Sequence, residues 1–324
     1  MAEDSAVDIV GGHLVRLGER NKTGDLVWHR VDLNLVLRSQ DDVMTTEVTG
    51  AADVAAYFGR IGYQGPAEPT VETVYDLVAA HNRSIPFENL DPLLGIPVAD
   101  LSAAALSDKL VHRRRGGYCY EHNGLMGYVL DELGFGVERL AGRVVWTNPD
   151  GPLPAQTHQV LSVTVPGVDG PLLVDVGFGG QTLTSPIRLE AGPVQETRHE
   201  PYRIRERGDG YQLEAHIRGE WQPLYMFSTR PQRRIDLEVG SWYVSTYPNS
   251  FFVTGLTAAL VTDDARWNMR GRNLAVHRSG ETEQIRFDTA ADVLDALTNR
   301  FGIDVADLGD RADVEARISE VLDS

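Results

Sequence analysis

The sequence predicts an α+β protein that begins with helices, continues with strands and ends in a mixed region. From Ala51 the apolar residues follow a helical period, most clearly over Thr70–Asn82 and Cys119–Leu133. From Val137 onward, short strand-like segments are separated by turns every ~8–12 residues, which is typical of a small barrel or sandwich. Further strand signals and two helical segments then alternate towards the C-terminus.

Helices are predicted wherever apolar residues recur every three or four positions, and Asp100 is placed to cap one of them. The predicted helices are Asp53–Ile61, Thr70–Asn82, Leu101–His112, Cys119–Leu133, Arg234–Tyr247, Ala290–Phe301 and Ala312–Leu322. The predicted strands are Val137–Trp146, Gln159–Val165, Leu172–Val176, Ile187–Leu189, Tyr202–Arg205, Gln212–Ile217, Trp221–Met226, Leu256–Val261, Asn273–His277 and Glu283–Phe287.

Residues 1–50 differ in pattern from the rest of the chain. Gly12–Leu17 and Leu26–Leu37 alternate loosely and are rich in Val and Leu. Such segments predict a hairpin or edge strands around the turn-like Asn21–Gly24. We therefore treat residues 1–50 as an N-terminal extension of unknown role.

Composition and charge exclude several classes of protein. The 324 residues are 42% hydrophobic and 24% charged, as in ordinary globular proteins of two or three domains. The net charge of −17 argues against nucleic acid and anionic membrane surfaces as partners. No apolar run reaches the ~18–20 residues of a membrane span, and the first residues lack the features of a secretory signal. These observations predict a cytoplasmic protein.

The single cysteine, Cys119, is the first candidate for chemistry. One cysteine excludes an intramolecular disulfide and a multi-cysteine metal site, and no metal is expected. The cysteine follows Gly116 and Gly117, which allow a tight turn, and it falls in the first turn of a predicted helix. Unpaired backbone N–H groups and the helix dipole favour a thiolate there. Cys119 is therefore predicted to be a nucleophile.

A thiolate nucleophile requires a histidine and a group that orients it. His158 begins one predicted strand and Asp175 ends the next, so antiparallel pairing would bring them side by side. His112 and His122 remain competing bases because they are closer to Cys119 in the sequence. The order and spacing of these residues exclude two classes of cysteine protease. The gap from Cys119 to His158 is far shorter than the ~130–150 residues of papain-like proteases, and caspases place the histidine before the cysteine.

Five motifs in this order resemble the arylamine N-acetyltransferase family. They are Tyr57–Gly65, Ile85–Leu90, Arg115–Asn123, Thr157–His158 and Asp175–Gly179. The resemblance runs from about residue 51 to the end of the chain and is strongest between Tyr57 and Gly180. Residues 1–50 have no counterpart in the usual pattern of this family.

The resemblance implies three domains around a core with a triad like that of cysteine proteases. A helical bundle over residues 51–136 would carry the nucleophile. A small antiparallel β-barrel over residues 137–247, ending in a linking segment, would carry the histidine and the aspartate. An α/β lid would occupy residues 248–324.

The resemblance also implies the reaction. The triad falls on Cys119, His158 and Asp175, acetyl-coenzyme A is the co-substrate, and a small aromatic amine or hydrazine is the acceptor. The implied mechanism is ping-pong: an acetyl-cysteine forms first, and the amine then takes the acetyl group, with His158 accepting its proton.

Further residues receive roles by the same resemblance. The acceptor pocket would be lined by Phe87, Phe178 and Phe252. The backbone approached by the coenzyme would be that of Gly177, Gly179 and Gly180. A buried ion pair bracing the nucleophile turn would join Glu88 and Arg115. The candidates for positive potential near the coenzyme are Arg113–Arg115 and Arg233–Arg234.

Two alternatives remain open at the level of the sequence. An amide synthase of the same fold would take a carrier-bound acyl chain and close a macrolactam with the same triad. The charge of −17 would repel an acidic carrier protein and so favours the coenzyme. A non-catalytic binding module with this fold is the other alternative, and the intact triad argues against it.

Overall fold

The structure is a computed structural model that describes residues 6–9, 14–20, 26–32, 52–278 and 280–322. The chain divides into two compact units, residues 1–49 and residues 50–324. The first unit contains an antiparallel sheet in the order β1-β2-β3, with strands β1 (Ala6–Ile9), β2 (Leu14–Arg20) and β3 (Leu26–Asp32). The predicted pairing of two strands in this extension is confirmed, and the predicted turn Asn21–Gly24 lies outside the described residues.

The second unit begins with helices. They are α1 (Val54–Ile61), α2 (Val71–Ser84), α3 (Leu90–Leu93), α4 (Ala103–Ser107) and α5 (Cys119–Glu132). The cap of α4 is Ser102, whose hydroxyl accepts from the Ala105 N–H at 3.3 Å. The expectation that Asp100 caps this helix is wrong, because its carboxylate accepts from the Ser102 N–H instead. A π-helical turn, Asp108–His112, follows α4.

An eight-stranded antiparallel sheet follows and nearly closes into a barrel. Its order is β8-β7-β6-β5-β12-β11-β10-β9. The strands are β5 (Gly136–Val144), β6 (His158–Thr164), β7 (Leu172–Val174), β8 (Ile187–Arg188), β9 (Val194–Gln195), β10 (Tyr202–Arg207), β11 (Gly210–Ile217) and β12 (Glu220–Phe227). The two edges meet through the Gln195 amide, which bonds the backbone N–H and C=O of Arg188 at 2.7 and 2.9 Å.

A five-stranded antiparallel sheet in the order β16-β15-β14-β13-β4 completes the unit. Its strands are β4 (Phe87–Glu88), β13 (Thr257–Val261), β14 (Arg266–Arg270), β15 (Asn273–Arg278) and β16 (Glu281–Arg286). The remaining helices are α6 (Arg234–Thr246), α7 (Phe251–Thr254), α8 (Ala290–Asn299) and α9 (Arg311–Leu322). Strand β4 comes from the helical part of the chain and pairs with β13, as Phe87 with Ala259 and Glu88 with Ala258.

Strand β6 is buried on both faces and separates two hydrophobic cores. Leu161 packs with the helices, in the core that contains Leu77 and Val129. Its neighbour Val160 points into the barrel, in the core that contains Leu213. A third core lies between the five-stranded sheet and α8 and α9.

The predicted α+β class is confirmed, while the bounds of the three domains stay a prediction. None of the helices in the described part of the chain is long and apolar enough to cross a membrane.

The turn before α5 leads to a testable prediction. A Cβ placed on Gly116 would lie 2.0 Å from the carbonyl oxygen of Pro86, so Gly116→Ala must displace backbone. We expect a loss of about 1–3 kcal/mol in the free energy of unfolding, measured by urea titration. Gly59→Ala in α1 is the matched control, because a Cβ there meets no atom within 4 Å. Equal stability of Gly116→Ala and the wild type would contradict the close approach.

Candidate active site

Cys119 is the first residue of α5, as the sequence predicts. Glu121 caps the start of this helix, since its carboxylate accepts from the Tyr118 N–H at 3.0 Å. The Cys119 side chain is buried, and its Sγ lies 3.6 Å from the carbonyl oxygen of Thr157. The thiol therefore lies at a helix start and beside the residue that precedes β6.

His158 and Asp175 come together through the pairing of β6 with β7. His158 is the first residue of β6, and Asp175 directly follows β7. The His158 Nε2 lies 2.8 Å from the Asp175 Oδ2, and both side chains are buried. Cys119 lies near enough to His158 to contribute to the raised pKa of its imidazole. The structure thus brings all three predicted catalytic residues into one cluster.

The charges in this cluster stabilise one another. Burial alone lowers the pKa of His158, but the charge and hydrogen bond of Asp175, together with the contact with Cys119, outweigh burial and raise this pKa to about 10. Burial raises the pKa of Asp175, yet the charge and hydrogen bond of His158 bring it below its ordinary value. The pair is therefore an imidazolium and a carboxylate at neutral pH.

Asn123 is a site residue to which the sequence analysis gave no role. It lies one helical turn after Cys119, and its Nδ2 donates to the Asp175 Oδ1 at 2.9 Å and to the Gln159 carbonyl at 2.7 Å. Its Oδ1 accepts from the Val176 N–H at 2.9 Å. The spacing of four residues from the nucleophile is the sequence signal that places Asn123 on the same helix face.

The competing histidines are placed elsewhere. The His122 Nε2 donates to the Pro86 carbonyl at 3.2 Å, and its Nδ1 lies 2.8 Å from the His81 Nε2. The Tyr57 hydroxyl lies 2.8 Å from the His81 Nδ1 and completes a buried chain. Because a carbonyl only accepts, each group in this chain donates towards Pro86. Burial lowers the pKa of His122 to about 4, and His112 is exposed at the end of the π-turn.

The three predicted pocket phenylalanines are half-buried and lie in two places. The Phe178 ring meets the His158 ring edge-on, with 5.1 Å between centroids and 81° between planes. Phe87 and Phe252 lie together, with their centroids 6.2 Å apart. Phe178 therefore lies beside His158, whereas Phe87 and Phe252 lie together near β4.

The glycines predicted to face the coenzyme have protein neighbours that already require them. A Cβ on Gly177 would lie 2.8 Å from the Cα of Cys119. Gly179 has a φ of +72°, which a residue with a side chain adopts only with strain. The Gly180 carbonyl accepts from the Arg266 guanidinium at 3.1 Å. Contact of these glycines with the coenzyme stays a prediction.

Glu88 and Arg115 form an ion pair, with 2.8 Å between the Arg115 Nη2 and the Glu88 Oε1 and no exposure of either side chain. The Arg115 Nη2 also bonds the Asp91 Oδ1 at 2.7 Å. The expectation that Arg115 offers its charge to the coenzyme is therefore wrong, since the guanidinium is buried and held by two carboxylates. Arg113 instead pairs with Asp307 at the surface.

A cavity of about 870 Å³ lies between the eight-stranded and five-stranded sheets. Its wall contains Trp146, whose ring centroid is 5.7 Å from that of Phe178. The wall also contains buried polar atoms without a hydrogen-bond partner among the described residues, on Gln181, Asn268 and both ring nitrogens of His199. These atoms fit a large ligand with polar groups.

Within residues 52–278 and 280–322, no cluster of three acidic, histidine or cysteine side chains is arranged for a metal.

The raised pKa of His158 leads to a prediction about stability and pH. The folded pKa of about 10 exceeds the ordinary value of about 6.5, so the pair stabilises the fold fully below pH 6.5 and loses this effect as the pH rises through 10. We expect the difference in unfolding free energy between the wild type and His158→Gln to shrink from pH 6 to pH 10. Urea titrations at both pH values measure it, and a difference independent of pH would contradict the charged pair.

Comparisons with known proteins show which family this chain belongs to. A family model described as N-acetyltransferase matches residues 70–309. The arylamine N-acetyltransferase of Mycolicibacterium smegmatis is 73% identical over 275 residues, which are 85% of this chain and 100% of that protein. That of Escherichia coli is 38% identical over 253 residues, 78% of this chain and 89% of that protein. The solved structure of the Mycobacterium marinum enzyme in complex with CoA is similar with a TM-score of 0.81 and 63% identity, over 83% of this chain and 99% of that one. The chain therefore belongs to the arylamine N-acetyltransferase family of acyltransferases.

Proposed function

We propose that this chain transfers an acetyl group from acetyl-coenzyme A to aromatic amines and hydrazines through an acetyl-cysteine on Cys119. The observation that carries the proposal is the buried cluster of Cys119, His158 and Asp175, with 2.8 Å between the His158 Nε2 and the Asp175 Oδ2. A cysteine, a histidine and a carboxylate in contact are the groups that nucleophilic acyl transfer requires. Membership of the family supports the same reaction.

In the first half-reaction, Cys119 attacks the carbonyl carbon of the thioester as a thiolate, because its proton resides on His158, the imidazolium of the resting pair. The bond between this carbon and the Cys119 sulfur forms, and the bond to the sulfur of the coenzyme breaks. The leaving thiolate takes the proton from His158. Asp175 stabilises the imidazolium throughout, because its carboxylate is ionised and directly bonded to the ring.

In the second half-reaction, the amine attacks the acetyl-cysteine and gives a proton to His158. The bond between the acetyl carbon and the Cys119 sulfur breaks, so the enzyme returns to its starting state. Aromatic amines are weakly basic and arrive neutral, whereas most aliphatic amines are protonated at pH 7. This difference favours aromatic acceptors.

Two sets of residues are assigned to the substrates. The flat faces of Phe87, Phe178 and Phe252 would hold the aromatic acceptor, since all three rings are half-buried and Phe178 touches His158. The cavity between the sheets is large enough for a coenzyme, and its unpartnered polar atoms on Gln181 and His199 would contact it. The relative from Mycobacterium marinum was solved in complex with CoA, which supports this donor.

The nucleophile is tested with Cys119→Ser. We expect turnover below a tenth of the wild-type value, a barrier higher by at least ~1.4 kcal/mol, because a hydroxyl ionises far less than a thiol. Mass spectrometry after mixing with acetyl-coenzyme A should show one added acetyl group on the wild type and none on Cys119→Ser. Mixing with propionyl- and malonyl-coenzyme A in parallel tests the choice of donor. An acetylated Cys119→Ser, or an unmodified wild type, would overturn the proposal.

The acceptor pocket is tested with Phe178→Ala. We expect the KM for the aromatic acceptor to rise roughly threefold to tenfold, because the variant loses the ring face beside His158. The acetyl-enzyme should still form at the wild-type rate, measured as the burst with a chromogenic acetyl ester. Should the variant slow the burst and leave the acceptor KM unchanged, Phe178 belongs to the donor side or to the core.

A further inference from the structure

Arg266 is a buried charge in the wall of the cavity between the two sheets, and no step of the proposed reaction uses it. It lies on β14 of the five-stranded sheet, and its Nε donates to both carboxylate oxygens of Glu200 at 2.9 and 3.0 Å. Its Nη1 donates to the carbonyl oxygens of Gly180 and Thr182, each at 3.1 Å. Its Nη2 donates to Glu200 and to the Tyr202 hydroxyl at 2.6 and 3.2 Å. The guanidinium thus joins this sheet to the loop that follows Asp175.

The Thr182 hydroxyl continues the connection into the site. It donates to the backbone carbonyl of Asp175 at 2.6 Å. It also accepts from the Phe178 N–H at 3.3 Å. One hydroxyl therefore binds both ends of the four-residue turn from Asp175 to Phe178.

This turn determines where two functional groups stand relative to each other. Asp175 holds the His158 ring at 2.8 Å, and the Phe178 ring lies edge-on against the same imidazole. Phe178 also packs against Tyr225, with 5.2 Å between centroids. The Asn123 Nδ2 holds the Asp175 carboxylate separately at 2.9 Å, so loss of the Thr182 hydroxyl should displace Phe178 more than Asp175.

A role in general stability alone does not explain this arrangement. A buried ion pair contributes little net stability, and apolar residues of similar volume often replace one without loss. Here the charge of Arg266 is directed at two carbonyl oxygens of a short loop, and Glu200 balances it. The connection from Arg266 through Thr182 ends at the backbone carbonyl of Asp175 and at the backbone N–H of Phe178.

We propose that Thr182 and Arg266 form a latch, made of the Thr182 hydroxyl and the Arg266 guanidinium, that fixes Phe178 beside His158 and thereby sets the affinity for the aromatic acceptor. Both are positioning residues, because neither touches the reacting atoms. This inference rests on the proposed function, since it assigns Phe178 to the acceptor.

Thr182→Val tests the latch, because it keeps the side-chain shape and removes the hydroxyl. We expect the acceptor KM to rise about threefold to tenfold while the burst rate of acetyl-enzyme formation stays at the wild-type value. Thr184→Val is the matched control, because Thr184 is also buried. Among the described residues, its hydroxyl forms a hydrogen bond only with Thr197. The burst amplitude counts active enzyme, so a loss of folded protein lowers the amplitude without raising the KM.

A double variant shows whether the latch acts through the ring. In the Phe178→Ala background, Thr182→Val should cause little further rise in the acceptor KM, because the ring that it positions is gone. The latch would be overturned if Thr182→Val raised the acceptor KM by the same factor with and without the Phe178 ring. It would also be overturned if Thr182→Val left the acceptor KM unchanged, or if Thr184→Val raised it as much as Thr182→Val does. If Thr182→Val does not fold, Glu200→Gln weakens the latch from its other end and should raise the KM in the same direction.

Failure of the latch and failure of the proposed function give different results. A wild-type protein that forms no acetyl-enzyme overturns the proposed function. A wild-type protein that forms it, together with a Thr182→Val variant of unchanged acceptor KM, overturns the latch alone.

Discussion

The buried ion pair between Arg115 and Glu88 is the interaction on which the rest of the site depends. Arg115 stands just before the turn that starts α5, and Glu88 lies in β4, which is hydrogen-bonded into the five-stranded sheet. The pair therefore holds the start of α5 against that sheet. Because neither side chain is exposed, loss of one partner leaves an unpaired charge in the interior, at a cost of about 3–5 kcal/mol. The positions of Cys119 and Phe87 both follow from this contact.

Much of the fold and the centre of the site could be predicted because their signals are local. The apolar period over Cys119–Leu133 gives α5 to within one residue. Antiparallel pairing of two predicted strands places His158 and Asp175 side by side, and in the structure the pairing of β6 with β7 leaves 2.8 Å between the His158 Nε2 and the Asp175 Oδ2. Their catalytic roles rest on chemistry and on the family, and they remain the proposal made above.

Other features could not be predicted because they depend on partners far away in the sequence. Strand β4 has only two residues and exists because β13 pairs with it. The buried chain through His81 and His122 is complete only when three helices have packed together. The family resemblance implies the pair of Arg115 with Glu88, but nothing in the sequence indicates that Asp91 is the second carboxylate on this guanidinium. In each case tertiary contact decides what composition and spacing leave open.

The pairing of β4 with β13 has a consequence for the order in which the protein matures during synthesis. Phe87 pairs with Ala259, so this wall of the site is closed by two segments that lie far apart along the chain. Contacts of such long sequence separation form late, since a long loop must close first. A nascent chain that ends before β13 already carries the cysteine, the histidine and the aspartate but lacks the sheet edge behind Phe87. During synthesis the cysteine, the histidine and the aspartate therefore leave the ribosome before the strand that completes the sheet behind Phe87, one of the rings proposed to bind the acceptor.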